Sequence, residues 1–252
     1  MKKLEIQVAG GDTATPLNLQ KRLGWISSIA GPLHGKKLID CGCGAGEYVR
    51  ALANLGADAW GIEYSAEKID QAQRLGGISD RRVAVGDIEA IEFPDGHFDI
   101  ALVNEVLEHV PHDDRGIREV HRILKPGGVA VIFSPNRLYP FETHGVSLRS
   151  GAKVPHYTPF VPYVPVRLGL FEYWARNYWP WELRALVRDG GFSIERCAYI
   201  WQTFENISGH QPRAIAALRP LLRALARALE ATPGLRAFGV SQLIVARKSS
   251  NP

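Results

Sequence analysis

Three glycines spaced two apart, Gly42, Gly44 and Gly46, run through the stretch LIDCGCGAGEY (Leu38 to Tyr48), with Asp40 ahead of them and Cys41 and Cys43 between them. Two chemistries compete for such a stretch: that of a thiol, and that of a backbone shaped to a ligand. The three cysteines, Cys41, Cys43 and Cys197, cannot all pair, and a Cys-x-Cys spacing is too short for an easy disulfide. A structural zinc site would want a second ligand pair at finger spacing, and none follows. The cysteines therefore read as compact packing residues, and the glycines carry the meaning. A glycine turn lets the backbone approach a ligand and aims N–H groups at it. Further along, EHVPHDD groups Glu108, His109, His112, Asp113 and Asp114, and FETHG offers Glu142 and His144. The first group has the residue types of a metal site but reads as a strand-to-helix connection with no metal expected.

Elements that could hold these residues are legible in the apolar spacing. KLIDC, DAWGIEY, RRVAVGD, HFDIALVNEVL and GVAVIFSPN read as five strands. Between them lie helical patterns: one from Glu47, one from Ser65 as its cap, and DRGIREVHRILKPGG, which Pro126 and Gly127 would stop. Strands alternating with helices predict a parallel sheet covered on both faces, with ligands beyond the carboxyl ends of the strands. The pattern breaks after Asn136 and resumes with PWELRALVRDGG (helix), FSIERCAYI (strand) and SQLIVARK (strand). A single domain is expected, with a core over about 20–136, an insertion over 136–181 and C-terminal elements over 182–252.

The dinucleotide fingerprint G-x-G-x-x-G fails here, because Glu47 stands where its third glycine belongs. LIDCGCGAGEY instead resembles motif I of the class I S-adenosylmethionine (SAM)-dependent methyltransferases: an apolar strand, an acidic residue and G-x-G-x-G, with Asp40 in the acidic position. The resemblance continues in order through WGIEYS, VGDIEAIEFPDGHFDIALVNEVLEHV and LKPGGVAVIFSPN. It implies a Rossmann-like α/β fold with a seven-stranded, mostly parallel sheet, an antiparallel last strand and helices on both faces. It also implies SAM as the cofactor. Glu63 would accept hydrogen bonds from the ribose hydroxyls beside Tyr64, Asp87 would accept one from the adenine amine, and Ile88 would lie on the ring. The loop Gly42, Cys43, Gly44 and Gly46 and the Asn104 carbonyl would hold the methionine end, buttressed by Asp40.

Methyl transfer from a sulfonium is an in-line displacement, in which an enzyme chiefly aligns the reactants away from water. The insertion holds 11 of the chain's 23 aromatic residues in 46 positions, which suggests a lid over an apolar or ring-bearing acceptor, or a small core of its own. Within it His144 is placed to take a proton from a hydroxyl, with His156 and Tyr157 next in order. The expected activity is SAM-dependent methylation of a small molecule at oxygen, on an apolar, ring-bearing or glycan- or lipid-type substrate, the last because the insertion loosely resembles methyltransferases of glycan or lipid-intermediate pathways. A nicotinamide-dependent oxidoreductase and a non-catalytic SAM-binding regulator are the alternatives.

Composition narrows the partners. Thirty basic against 26 acidic residues give a net charge of +4, which does not demand a nucleic acid. The N-P-P-Y type motif of nucleic-acid amine methyltransferases is replaced by NEVL, so no nucleic-acid partner is expected. No apolar run approaches the roughly 20 residues of a membrane span. Glu5 and Gln7 interrupt any signal-peptide core, which predicts a cytoplasmic protein. Residues 213–230 form a basic amphipathic pattern, with Leu218, Leu222, Leu225 and Leu229 on one stripe and Arg219, Arg223 and Arg227 on another. Such a helix packs on its own domain with its arginines in solvent, or meets a membrane surface or a second copy.

Overall fold

The computed structural model describes residues 16–76, 79, 82–155, 158–204 and 213–250. Its chain order is α1 (Pro16–Ala30), β1 (Lys37–Cys41), α2 (Glu47–Asn54), β2 (Asp58–Glu63), α3 (Ala66–Leu75), β3 (Val83–Val85), β4 (Phe98–Asn104), α4 (Asp113–Ile123) and β5 (Leu124–Pro135). There follow β6 (Val146–Leu148), β7 (Phe171–Tyr173), α5 (Pro180–Asp189), β8 (Phe192–Ile200), α6 (Arg213–Ala231) and β9 (Ser241–Lys248).

Seven strands make one sheet in the order β3-β2-β1-β4-β5-β9-β8. β1 to β5 pair in parallel, and β9 inserts antiparallel between β5 and β8. The expected Rossmann-like α/β sheet with its antiparallel last strand is therefore what the chain forms. Two apolar layers lie on the sheet's opposite faces because alternate strand residues point to opposite sides. Ile39 and Cys41 of β1 join Ile117, Val120 and Leu183 of the helices on one face, whereas Leu38 joins Val49, Leu52 and Ile26 on the other. The strand order reverses between β1 and β4, which places a crevice at their carboxyl ends, where open α/β sheets bind ligands.

Three local results differ from the expectation. α1 was not legible, since its apolar residues make only a weak stripe; it nonetheless buries Ile26 and Arg22. α4 ends at Ile123, three residues before Pro126, because β5 already begins at Leu124. The insertion contains a two-stranded antiparallel ladder, β6 with β7, that the break in the sequence pattern did not indicate.

Candidate active site

β1 runs out at Cys41, and the next five residues turn the chain into α2. Gly42, Gly44 and Gly46 have φ of 94°, 55° and 79°, a region that costs any residue with a Cβ, so the two-residue spacing is a backbone requirement. The turn is pinned where Gly42 N–H and Cys43 N–H both donate to Ile62 O of β2, at 2.7 and 2.9 Å. At Gly44 a Cβ would meet no atom within 4 Å, so this side of the loop is open to a ligand. Glu63, at the carboxyl end of β2, is 8% exposed and accepts from Gly44 N–H (Oε2, 3.0 Å) and Ser65 N–H (Oε1, 3.0 Å). Its carboxylate ties the glycine turn to the start of α3, whose cap is Ser65 as the sequence indicates. Each oxygen retains lone-pair capacity beyond these bonds.

Cys41 and Cys43 are buried free thiols, and burial with the Asp40 carboxyl pushes both upward, away from the thiolate that reactivity requires. Their role is spatial: a Cβ on Gly61 would sit 2.7 Å from Cys43 Sγ. Asp40 is 1% exposed and its Oδ1 has no hydrogen-bond partner. Burial, reinforced by Glu63 and Glu47, raises its carboxyl to about 8, so at neutral pH it carries its proton and can donate.

Asp87 follows β3, and its Oδ1 accepts from Glu89 N–H at 2.8 Å, the geometry of an aspartate turn. Ile88 beside it is buried among Ile62, Ile91 and Leu107. Tyr64 is 66% exposed on the rim. Asn104 closes β4 and is 8% exposed; Arg22 of α1 donates to its Oδ1. Arg22 also pairs with Glu105 at 2.8 Å, and Ser241 Oγ lies 2.6 Å from the same Glu105 oxygen. Glu105 has a φ of 57°, strained for a residue with a side chain, and this network holds it there. Burial opposes its charge, but Arg22, His144 and Ser241 hold the Glu105 carboxyl below its ordinary range. Arg22 and Glu105 had no sequence signal as a pair, being 83 positions apart.

The connection after β4 divides into two parts. Asp113 and Asp114 begin α4, while Glu108 and His109 turn inward. Glu108 is 3% exposed, neither of its carboxylate oxygens has a hydrogen-bond partner, and burial together with Glu105 raises it well above the carboxylate range. Against these two residues the insertion places His144, with Nε2 4.0 Å from Glu108 Oε1 and its ring centroid 5.6 Å from that of His109. Burial and His144 lower His109 to about 4. The buried Glu142 fixes the turn: it accepts from His144 N–H (2.8 Å), Gly145 N–H (3.3 Å) and Asn177 Nδ2 (2.9 Å). His156 and Tyr157 lie outside the described residues.

A cavity of about 1120 Å³ opens beyond Glu108 and His109. Tyr64, Phe171, Tyr173, Trp174 and Tyr178 line it. The aromatic excess thus has two uses. Other rings build the insertion itself: Trp179 stacks on Trp181 at 5.0 Å, and Tyr163 donates to Leu138 O at 2.6 Å.

Residues 39–132 match a family described as a methyltransferase domain. The ubiquinone biosynthesis O-methyltransferase of Bordetella avium is 37% identical over 122 residues, 46% of this chain and 49% of that protein. Its namesake from Pseudomonas aeruginosa is 39% identical over 120 residues, with 46% and 51% covered. The chain spans about half the length of the curated relatives it matches. Among solved structures, a SAM-dependent methyltransferase from Mesorhizobium loti superposes with a TM-score of 0.60 at 21% identity, over 91% of this chain and all of that one. Magnesium protoporphyrin IX methyltransferase from Synechocystis PCC 6803, solved with bound SAM, gives 0.54 at 17% identity over 92% and 79%. At those identities the likeness is one of fold.

Proposed function

Starting from the class I SAM-dependent methyltransferase domain that this chain carries, we propose that the protein transfers a methyl group from SAM to a hydroxyl oxygen of an apolar, ring-bearing or glycan- or lipid-type small molecule. One observation carries the reading: an aromatic-lined cavity is bounded by Tyr64, the residue after β2, and by Glu108 and His109 in the connection after β4, on the end of the sheet where such folds bind ligands. The oxygen and the ring are supported by relatives named for O-methylation in ubiquinone biosynthesis.

The residues present suit the cofactor. The open face at Gly44, the acceptor Glu63 and the protonated Asp40 together offer what a ribose and a charged amino-acid end need. Gly42, Cys43, Gly44 and Gly46 with the Asn104 carbonyl would hold the methionine end, Glu63 the ribose beside Tyr64, and Asp87 with Ile88 the adenine. SAM, when bound, supplies a methyl group on a sulfonium. The chain's own part is alignment and proton management. Arg22 and Glu105 hold the end of β4, the aromatic walls exclude water, and His144 accepts the proton that the acceptor hydroxyl releases as it is methylated. Glu142 orients His144 through the turn, and Glu108 stands behind it.

Calorimetry with SAM and with NAD, followed by transfer of labelled methyl to hydroxylated aromatic and polyprenyl acceptors, tests the reading. SAM binding in preference to NAD, with label recovered as a methyl ether, is expected. NAD binding without SAM binding would overturn it.

A further inference from the structure

We propose that Glu108, His109 and His144 form a binding site for a divalent transition-metal cation of the zinc class, at the inner wall of the acceptor cavity. Their donor atoms, one carboxylate oxygen and two imidazole nitrogens, all lie within 4.8 Å of one another. Ligand distances of about 2.0–2.2 Å around zinc place neighbouring donors about 3.3 Å apart, so side-chain rotations of roughly an ångström close the set.

A second observation, independent of that proximity, points to a ligand. The Glu108 side chain is fully buried, and neither oxygen has a hydrogen-bond partner. As the anion, a carboxyl group buried in that condition is costly until a cation or donor reaches it. The nearby guanidinium makes no hydrogen bond to Glu108: Arg22 gives its terminal nitrogens to Asn104 and Glu105, and its buried Nε has no hydrogen-bond partner. A cation between Glu108 and the two rings would supply what the protein's own groups leave out.

The donor set also selects the metal. Two imidazoles with one carboxylate suit zinc, cobalt or ferrous iron, whereas magnesium and calcium favour all-oxygen shells. Three protein ligands leave a position for an exogenous oxygen, and Glu108 and His109 line the cavity where the acceptor would lie. The surroundings orient the ligands as second partners of metal sites do. Glu142 holds the His144 backbone, and Thr143 Oγ1 lies 3.3 Å from His144 Nδ1, which leaves Nε2 directed to Glu108. The inference deepens the methyltransferase reading, on which its catalytic meaning rests. In the metal-free chain His144 takes the hydroxyl proton itself; in the loaded chain Nε2 is a ligand, and coordination lowers the hydroxyl's own pKa.

The test uses the full chain without a tag, stripped by chelator and titrated with Co²⁺, then Zn²⁺, with visible absorption and metal content after dialysis as readouts. One equivalent of Co²⁺ with d–d bands, displaced by one equivalent of Zn²⁺, is expected. Glu108→Gln and His144→Ala should each weaken binding at least tenfold, and His112→Ala, outside the set, should not. Should Glu108→Gln fail to fold, His144→Ala probes the same site from the insertion. A wild-type chain that retains no stoichiometric cation, or variants that bind it as well as wild type, would overturn the site. A SAM titration on the same stripped protein separates the two claims. SAM binding without cation binding sinks only the metal site, and cation binding without SAM binding sinks only the methyltransferase reading.

Discussion

Asp40 and Glu63 sit on adjacent strands under the same glycine turn, yet they are held in opposite ways. Glu63 has two backbone N–H partners, whereas Asp40 Oδ1 has none. Asp40 is therefore a pH liability. Its carboxyl is at about 8 in the folded chain against an ordinary 3.8, so the folded state keeps a proton that the unfolded state releases. Its contribution to stability is fully present below about pH 4 and is lost as pH rises through about 8, at a slope of up to about 1.4 kcal/mol per pH unit. Urea unfolding of wild type and Asp40→Asn at pH 5 and pH 8 measures this. The variant should lose less stability between the two, and equal losses would remove Asp40 as the cause. For Glu63, loss of two charged hydrogen bonds to a ribose predicts that Glu63→Ala weakens SAM by about 2–4 kcal/mol. Because the same carboxylate also ties the turn together, Glu63→Gln should keep the fold and lose part of the affinity, with calorimetry as the measure. Unchanged SAM affinity in both variants would place the ribose elsewhere. The glycines were legible in sequence because positive φ restricts residue type. The Arg22–Asn104–Glu105 network was not, because nothing local to either segment announces a contact 82 positions away.

At the scale of elements, period and caps announced β1 to β5, α2 and α3, while α1 and the insertion had to be seen. α1 has a weak apolar stripe and is held by tertiary contacts. Ile26 enters the core, and Lys21 pairs with Glu230 of α6 at 2.5 Å. α6 covers part of each expected stripe. Arg219 and Arg223 are partly covered, and Arg223 Nε donates to Thr203 O at 2.8 Å. Leu218 and Leu225 face solvent at 51% and 53% exposure, whereas Leu222 and Leu229 are half-buried and Arg227 is exposed. Spacing alone shows that two stripes exist and leaves open how much of each the tertiary fold covers. The FETHG turn is a different case, since its acidic and imidazole residues were visible but their purpose depends on the fold. Glu142 works on the turn's backbone, and only His144 reaches Glu108. His144→Ala should lower the single-turnover methylation rate by roughly a hundredfold with SAM affinity little changed, since proton transfer contributes about that much. Glu142→Ala, which frees the turn, should reproduce part of that loss. Equal rates for wild type and His144→Ala would leave alignment alone to explain transfer.

Across the whole molecule, the glycine turn and the aromatic cavity come from different parts of the chain: the turn from the end of β1, the cavity from Tyr64, the connection after β4 and the insertion. The insertion is bolted to the sheet rather than hung from it: Asn136 Nδ2 donates to Ala237 O and Gly239 O, and Gln242 Nε2 donates to Tyr178 O. Its far wall, with Phe171, Tyr173 and Trp174, touches none of the glycine turn's hydrogen bonds. Cofactor and acceptor binding should therefore separate under mutation. Trp174 lines the cavity, and its truncation removes aromatic surface worth about 1.5–3 kcal/mol to a buried apolar partner. Trp174→Ala is expected to raise the acceptor KM by roughly tenfold or more, while the SAM dissociation constant stays within about twofold. Steady-state kinetics with saturating SAM, beside calorimetry of SAM alone, reads both. Because Trp174 also packs against the Gly145 backbone next to His144, Trp174→Phe serves as the companion variant, retaining a ring for that contact while reducing the wall. A fall in kcat that Phe restores, with KM unchanged, would make Trp174 a support for the His144 turn instead of a wall for the acceptor. Parallel losses of SAM affinity and acceptor KM would mean that the two sites close together as one unit.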